Sequence, residues 1–190
     1  KGPLVMMRAD MDGLPVQERS SLPYASKVFQ ENSEGQVFPV MHACGHDVHM
    51  TSLIGSARRM VASKDTWSGT LMLVAQPAEE WKISGAKAMR EDKIWERFGT
   101  PDYALAFHVA ADIEAGKLFA PRNAAYSAVD SVDIIVPGIG AHGASPHRGR
   151  DPIVIASQIV MALQTLVSRE FSPREPRVVP VGEFKAGNKR

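Results

Sequence analysis

The sequence predicts an α/β fold with a largely parallel sheet and flanking helices. Three continuous apolar segments, each of a length suited to one buried strand, are separated by segments in which apolar residues recur at helical spacing. Polar or titratable residues follow or close each apolar segment. Because ligands of such sheets bind beyond the carboxyl ends of the strands, we expect a functional site at that edge.

The elements of this sheet are expected within residues 1–124. The apolar residues 3–9 predict a buried strand that ends in a polar loop at Asp10. Residues 14–45 lack periodicity and predict a long loop, which inside a compact domain is usually functional. The elements expected after this loop are a helix at about 46–62, a strand at 69–76, a helix at 85–98 and a strand at 103–109.

The pattern changes after about residue 124, and we expect part of a small α+β domain at 125–190. Asp151-Pro152 predicts a helix start, with an N-cap carboxylate and a proline at the first helical position. The chain opens at Lys1 without an initiator methionine, and both domains look incomplete, so we expect an internal fragment of a longer protein. The elements expected here are a strand at 131–136, a Gly/His loop at 137–150, a helix from 152 to near 169 and a strand at 177–184.

Composition excludes several classes of function. Hydrophobic residues at 44% and charged residues at 23% are typical of a globular protein. A net charge of +1 gives no electrostatic footprint for nucleic acid, and no stretch approaches the roughly 20 apolar residues of a membrane span. One cysteine cannot form an internal disulfide, so a cytoplasmic and a periplasmic or exported location are both compatible with the chain.

A cluster of histidine and cysteine suggests a metal site. Half of the six histidines and the only cysteine fall within residues 42–49. Cys44 and His46 flank Gly45, so both side chains can converge on one ion, and thiolate and imidazole are ligands that zinc prefers. A buried structural cysteine beside helix-decorating histidines is the plainer alternative. A Cys-His nucleophile is another, but it requires a third group and an oxyanion hole.

Carboxylates and a further histidine lie at the ends of the later strands. Glu79 and Glu80 follow Pro77 directly after a predicted strand. A glutamate pair is often only a solvated surface feature, yet at this place one carboxylate can ligate a cation while its neighbour deprotonates a water. His108 closes the next strand, where a buried ring needs a partner and a metal would provide one. The nucleophile interpretation leaves the glutamate pair without a role.

Four sequence motifs occur together in this chain. They are Asp10-Met11-Asp12-Gly13-Leu14-Pro15, Met41-His42-Ala43-Cys44-Gly45-His46-Asp47, Gln76-Pro77-Ala78-Glu79-Glu80 and Gly140-Ala141-His142-Gly143-Ala144-Ser145-Pro146-His147. By these motifs and their order the chain resembles the metal-dependent amidohydrolases, which include hippurate hydrolases, indole-acetyl-amino-acid hydrolases and N-acyl-amino-acid amidohydrolases. This group is a branch of the aminoacylase and glutamate carboxypeptidase superfamily of metallopeptidases, and the resemblance covers essentially the whole chain. It implies a zinc-exopeptidase-like catalytic domain at 1–124 and the first half of a lid and dimerisation domain at 125–190.

The resemblance also implies roles for individual residues. Glu79 would act as general base and acid, and His142, on the lid, would bind the substrate carbonyl in a partner subunit's site. One further ligand, a histidine near the carboxyl end of such proteins, lies outside this chain. His42, His49 and His147 are expected to be structural or to support the ligands. The implied metal ligands are Cys44, His46, Glu80 and His108, and the residues expected to orient them are Asp10, Asp12 and Asp47.

The implied activity is hydrolysis of the amide bond of N-acyl amino acids, or of related small amides, by a metal-activated water. Each full-length subunit would hold two divalent metal ions, with zinc favoured by the thiolate and manganese, cobalt or nickel also accepted. A homodimer through the lid is expected, and the fragment alone should have little activity. The alternatives are a dipeptidase or carboxypeptidase of the same superfamily, which typically has a carboxylate in place of Cys44, and a non-catalytic metal-binding or dimerisation module, which needs no base.

Overall fold

The computed structural model describes residues 2–80, 84–123 and 125–187. The chain divides into two compact units, Lys1–Ala120 and Pro121–Arg190. This division lies close to the boundary expected at Ala124, a residue that itself lies outside the described ones. The assignment of the units to a catalytic and a lid domain stays a prediction.

The first unit is built on a three-stranded parallel sheet. The strands are β1 Leu4–Asp10, β2 Phe29–Glu31, β3 Val37–Pro39, β4 Thr70–Gln76 and β5 Tyr103–Ala106. In the parallel sheet β4 and β5 pair with the central strand in the order β4-β1-β5, while β2 and β3 form a separate antiparallel pair. The predicted α/β fold is confirmed. The helices are α1 His46–Ala62, α2 Ser84–Glu91, α3 Ile94–Phe98 and, in the second unit, α4 Pro152–Thr165.

The register of the sheet brings the carboxyl ends of its three strands, and the polar residues there, to one edge. Asp10, the last residue of β1, lies opposite Gln76, the last residue of β4. Arg8 lies opposite Ala106, the last residue of β5. All three strands run in the same direction, so the segments that follow them leave the sheet side by side, as the sequence predicted.

Helix α1 begins and ends as predicted and covers this sheet. It packs on β1 and β4, and its buried residues are His46 and His49. Residues three apart lie on the same face of a helix, so both rings point towards the sheet. At the other end, the indole N–H of Trp67 donates to the carbonyl of Met60 at 2.9 Å and closes the last turn. The helix therefore presents two imidazoles at the edge where the strands end.

Two predicted elements of the first unit are shorter or broken. The helix predicted at 85–98 is divided into α2 and α3, because Lys93 has a φ of 58° and a left-handed residue cannot continue an α-helix. The strand predicted at 103–109 ends at Ala106. The predicted loop at 14–45 also contains the β2–β3 pair. Its turn is stabilised by the side-chain oxygen of Asn32, which accepts from the N–H groups of Glu34 and Gln36.

The second unit contains the predicted helix, but the strands predicted beside it were wrong. The Asp151 carboxylate caps α4 by accepting from the N–H of Ile153 at 2.8 Å, and a π-helical turn, Leu166–Glu170, follows the helix. Within residues 125–187, neither 131–136 nor 177–184 forms a strand. A strand requires a neighbouring strand to satisfy its backbone groups, and neither segment pairs with another there.

The helical segment Pro152–Glu170 is more apolar than the sequence analysis allowed. The segment has 19 residues, and an 18-residue window within it reaches a mean hydropathy of 1.3, enough to cross a membrane by length and composition alone. The core helix of a protein that spans no membrane meets the same criterion, so this is weak evidence for a span.

Gly85 offers a test of the packing around the glutamate pair. It is the second residue of α2, and a Cβ there would lie 1.6 Å from the carbonyl oxygen of Pro77. Because this neighbour is backbone, Gly85→Ala is expected to lower the free energy of unfolding by about 1–3 kcal/mol. Gly55→Ala is the control, since its site in α1 has nothing within 4 Å and alanine there should raise stability by roughly 0.5–1 kcal/mol. Urea denaturation of the full-length protein measures both, and equal stabilities would contradict this packing.

Candidate metal centre

A glycine turn at the start of α1 brings Cys44 close to His108. Gly45 has a φ of 81°, a backbone conformation that side chains rarely adopt. A Cβ on Gly45 would lie 2.4 Å from Cγ2 of Val109, so the close approach to that segment also requires glycine. Through this approach the sulfur of Cys44 lies 3.3 Å from Nε2 of His108. Two of the predicted ligands therefore meet although they lie 64 residues apart in sequence.

His46 lies at the middle of the site with one ring nitrogen unsatisfied. Its Nδ1 lies 3.0 Å from the carbonyl oxygen of Asp12, and because a carbonyl only accepts, Nδ1 carries a proton. Nε2 is buried and has no hydrogen-bond partner among the described residues. Three carboxylate oxygens surround Nε2 instead, from Asp10 at 3.7 Å, Glu80 at 3.8 Å and Glu79 at 4.0 Å.

The glutamate pair is held beside His46 by a turn and by Asp12. Ala78, just before the pair, has a φ of 47°, which costs free energy and redirects the chain. The carboxylate of Asp12 accepts the backbone N–H of Glu80 at 2.9 Å. The side chain of Glu79 is 37% exposed and that of Glu80 is 23% exposed. Glu80 is thus the more enclosed carboxylate, and Glu79 is the one more open to water.

The electrostatics of the site favour a cation. Burial, followed by a side-chain hydrogen bond with Glu80 and then by the charges of Glu80, Glu79 and Asp10, raises the pKa of the Cys44 thiol to about 11. Without a metal the sulfur therefore keeps its proton at neutral pH. A bound cation reverses this, because only the thiolate is a good ligand and the cation offsets the surrounding negative charge.

The donor set fits divalent metal. Around a zinc ion the ligand atoms lie roughly 3–4 Å from one another, which matches the distances at His46 and between Cys44 and His108. Besides His46 Nε2, an oxygen of Glu80 is also buried without a hydrogen-bond partner among the described residues. A cation would satisfy both atoms. The groups with ligand atoms within 4.8 Å of one another are Cys44-His46-His108, His46-Glu79-Glu80 and Asp10-His46-His49.

Two further residues lie at this site: His49, which the sequence analysis expected only to be structural or to support the ligands, and Arg8, to which it gave no role. His49 lies with its ring centroid 4.5 Å from that of His108, and burial, followed by the charge of His108, lowers its pKa. Arg8 forms an ion pair with Asp10. The sequence contains a signal for the position of each residue. His49 follows His46 by three residues and so lies on the same face of the helix, and Arg8 precedes Asp10 by two residues and so lies on the same face of the strand.

Two predicted site residues are not brought into this cluster. Asp47 lies in the first turn of α1, but its side chain is exposed and forms no hydrogen bond or ion pair with the described part of the chain. His142 belongs to the second unit, where its Nδ1 accepts the N–H of Ala144 at 3.1 Å. The roles expected of both stay predictions.

Comparison with known proteins identifies relatives. The sequence pattern of Peptidase family M20/M25/M40 matches residues 6–188. A hippurate hydrolase of Campylobacter jejuni is 43% identical over 182 residues, which are 96% of this chain and 44% of that protein. Thermostable carboxypeptidase 1 of Saccharolobus solfataricus is 39% identical over 190 residues, 99% of this chain and 45% of that protein. The chain therefore spans less than half the length of these curated relatives.

A solved structure resembles the whole chain. The crystal structure of a protein from methicillin-resistant Staphylococcus aureus matches with a TM-score of 0.68 and 33% sequence identity. The match covers 100% of this chain and 47% of the other.

Proposed function

Because the chain belongs to Peptidase family M20/M25/M40, we propose that the full-length protein is a metal-dependent amidohydrolase. Its substrates are N-acyl amino acids or related small amides. The observation that carries this proposal is the buried Nε2 of His46, which has no hydrogen-bond partner in the described chain and faces three carboxylate oxygens at 3.7–4.0 Å. The name of the hippurate hydrolase relative supports the substrate class.

The residues that would hold the metal are Cys44, His46, Glu80 and His108. With two divalent cations bound there, the site would have the positive charge that lowers the pKa of a water towards neutrality and polarises the substrate carbonyl. The thiolate of Cys44 favours zinc, while the carboxylate and imidazole ligands also accept manganese, cobalt or nickel. Asp10 and Asp12 orient the ligands, since both contact His46.

Glu79 is the group that transfers a proton from the water to the leaving amine in this proposal. Its carboxylate is partly exposed and lies 4.0 Å from Nε2 of His46, so it can contact both water and substrate. It takes a proton from the water as the amide carbonyl is attacked, and it returns that proton to the nitrogen of the leaving amine. Glu80 is less suited to this work, because its backbone is fixed by Asp12 and its side chain is more enclosed.

His142 binds the substrate carbonyl in this proposal. Its Nδ1 accepts a backbone N–H, so in the neutral ring the proton lies on Nε2. The residue is exposed, and this leaves an N–H donor free to stabilise the oxygen that becomes negative during hydrolysis. In a homodimer formed through the lid, this donor would serve the partner subunit's site.

A substrate panel tests the proposed specificity. The full-length protein is assayed with N-acyl amino acids and with dipeptides that share the same carboxyl-terminal residue, and kcat/KM is compared. We expect the N-acyl amino acids to be hydrolysed at least about tenfold more efficiently, a difference of roughly 1.4 kcal/mol in transition-state binding. The reverse preference would favour a carboxypeptidase, the activity named for the Saccharolobus relative. Bound metal without hydrolysis of either class would indicate a non-catalytic module.

A further inference from the structure

His49 lies between the two candidate ligand histidines but is not one of the proposed ligands. Its side chain is 1% exposed, and its ring centroid lies 4.5 Å from that of His108 and 5.2 Å from that of His46. Its Nε2 has a hydrogen-bond partner, whereas its buried Nδ1 has none among the described residues. The groups that face these two nitrogens determine whether His49 can bind metal or acts on the residues that do.

The contacts of His49 determine where its proton lies. The backbone N–H of Val109 points at Nε2 over 3.1 Å. A backbone N–H only donates, so Nε2 is an acceptor and carries no proton. In the neutral ring the proton then lies on Nδ1, which faces the carboxylate of Asp10 at 3.4 Å. With Nε2 engaged by Val109 and Nδ1 protonated, neither nitrogen offers a lone pair to a metal.

The groups on either side of His49 are themselves fixed. Arg8 pairs with Asp10 and donates from Nε to the side-chain oxygen of Gln76 at 2.9 Å, so the carboxylate is anchored to two neighbouring strands. On the other side, the carbonyl of Val109 accepts from Nδ1 of His108 at 2.6 Å. This hydrogen bond leaves Nε2 of His108 as the nitrogen that faces Cys44.

We propose that His49 is a positioning residue that ties the segment of Val109 to α1 and so aims Nε2 of His108 at the metal centre. Asp10, held by Arg8, keeps the proton of His49 on Nδ1 and thereby keeps Nε2 available to Val109. Partners of this kind typically alter metal affinity by about 10–100-fold. The inference rests on the proposed function, because it assigns His108 to a metal.

The tautomer of His49 gives a test that needs neither metal nor activity. Nitrogen-15 NMR of the full-length protein, with its metal removed by chelation, distinguishes a protonated from an unprotonated ring nitrogen. We expect Nδ1 of His49 to be protonated and Nε2 to be unprotonated at neutral pH. Protonation on Nε2 would overturn the inference, since that nitrogen could not accept from Val109.

Two substitutions separate positioning from simple packing. His49→Gln places an oxygen where Nε2 accepts, whereas His49→Asn reaches only the place of Nδ1. The affinity of the full-length protein for cobalt(II) alone, measured by competition with a chelator, is expected to fall about 10–100-fold in His49→Asn and to stay within about threefold of wild type in His49→Gln. The visible spectrum of bound cobalt should change in the first variant only. Equal affinities and spectra in both variants would contradict positioning.

The outcomes also separate this inference from the proposed function. If Glu79→Gln kept full activity, the hydrolytic mechanism would fail, while a difference between the His49 variants in cobalt affinity would still support positioning. If Glu79→Gln lost activity and both His49 variants bound cobalt like wild type, only the positioning role would be overturned.

Discussion

Replacement of Glu79 by glutamine is expected to lower kcat by about 10²–10⁴-fold while the full-length protein keeps its metal. Glutamine has nearly the same shape as glutamate but cannot take a proton from water at neutral pH. Glu79 is the more exposed member of the pair, and Asp12 fixes the backbone of its neighbour Glu80, so the substitution should leave the ligand geometry in place. KM is expected to change much less than kcat, because the proton transfer occurs in the transition state.

Steady-state kinetics and elemental analysis of the same protein samples check this expectation. Glu91→Gln is a suitable control, because it removes one negative charge from an exposed position of α2, where Glu91 pairs with Lys87 alone among the described residues. It should leave kcat within about twofold of wild type, as exposed pairs of this kind contribute little. A Glu79→Gln protein with full metal content and wild-type kcat would exclude Glu79 as the base.

His46→Asn is expected to lower metal affinity at least about 100-fold and to abolish hydrolysis without added metal. The asparagine amide can still donate to the carbonyl of Asp12, as Nδ1 of His46 does at 3.0 Å. What the variant lacks is Nε2, the buried nitrogen surrounded by the carboxylates of Asp10, Glu79 and Glu80. His46 belongs to all three groups of potential ligands, so its loss affects each of them.

His42→Asn is the matched control for that variant. Nδ1 of His42 lies 3.0 Å from the same Asp12 carbonyl, but His42 belongs to none of the three groups of potential ligands. Its substitution should therefore reduce metal affinity by less than about tenfold, the lower end of what outer partners contribute. Metal affinities measured by chelator competition decide the comparison, and equal losses in the two variants would contradict the assignment of Nε2 of His46 as a metal ligand.

The sheet and α1 could be predicted because their signals are local. The apolar runs that became β1 and β4 are continuous, and apolar residues at helical spacing identified α1 from His46 to Ala62. The break between α2 and α3 could not be predicted, since it occurs at Lys93 and no glycine or proline lies at that point. The prediction of strands at 131–136 and 177–184 was wrong for a related reason. Strand formation depends on a partner strand that is distant in sequence, and the periodicity of one segment does not reveal that partner.

The approximate location of the candidate site could be predicted from the sequence. Parallel strands end at one edge, so the sequence alone predicts that Glu79, Glu80 and His108 lie together with Asp10. The contacts that orient these groups were not accessible in the same way. The tautomer of His49 depends on the direction of the Val109 N–H, and the unsatisfied nitrogen of His46 depends on distances of a few ångströms between segments far apart in sequence.

Elemental analysis of the full-length protein, combined with an assay of N-acyl amino acid hydrolysis, tests most directly that this cluster is a catalytic metal centre. The measurement is made on wild type and on Cys44→Ala. We expect about two divalent metal ions per wild-type chain, and we expect metal content and activity to fall together in the variant. Full activity in a metal-free protein, abolished by Cys44→Ala, would contradict the metal centre and identify Cys44 as a nucleophile instead.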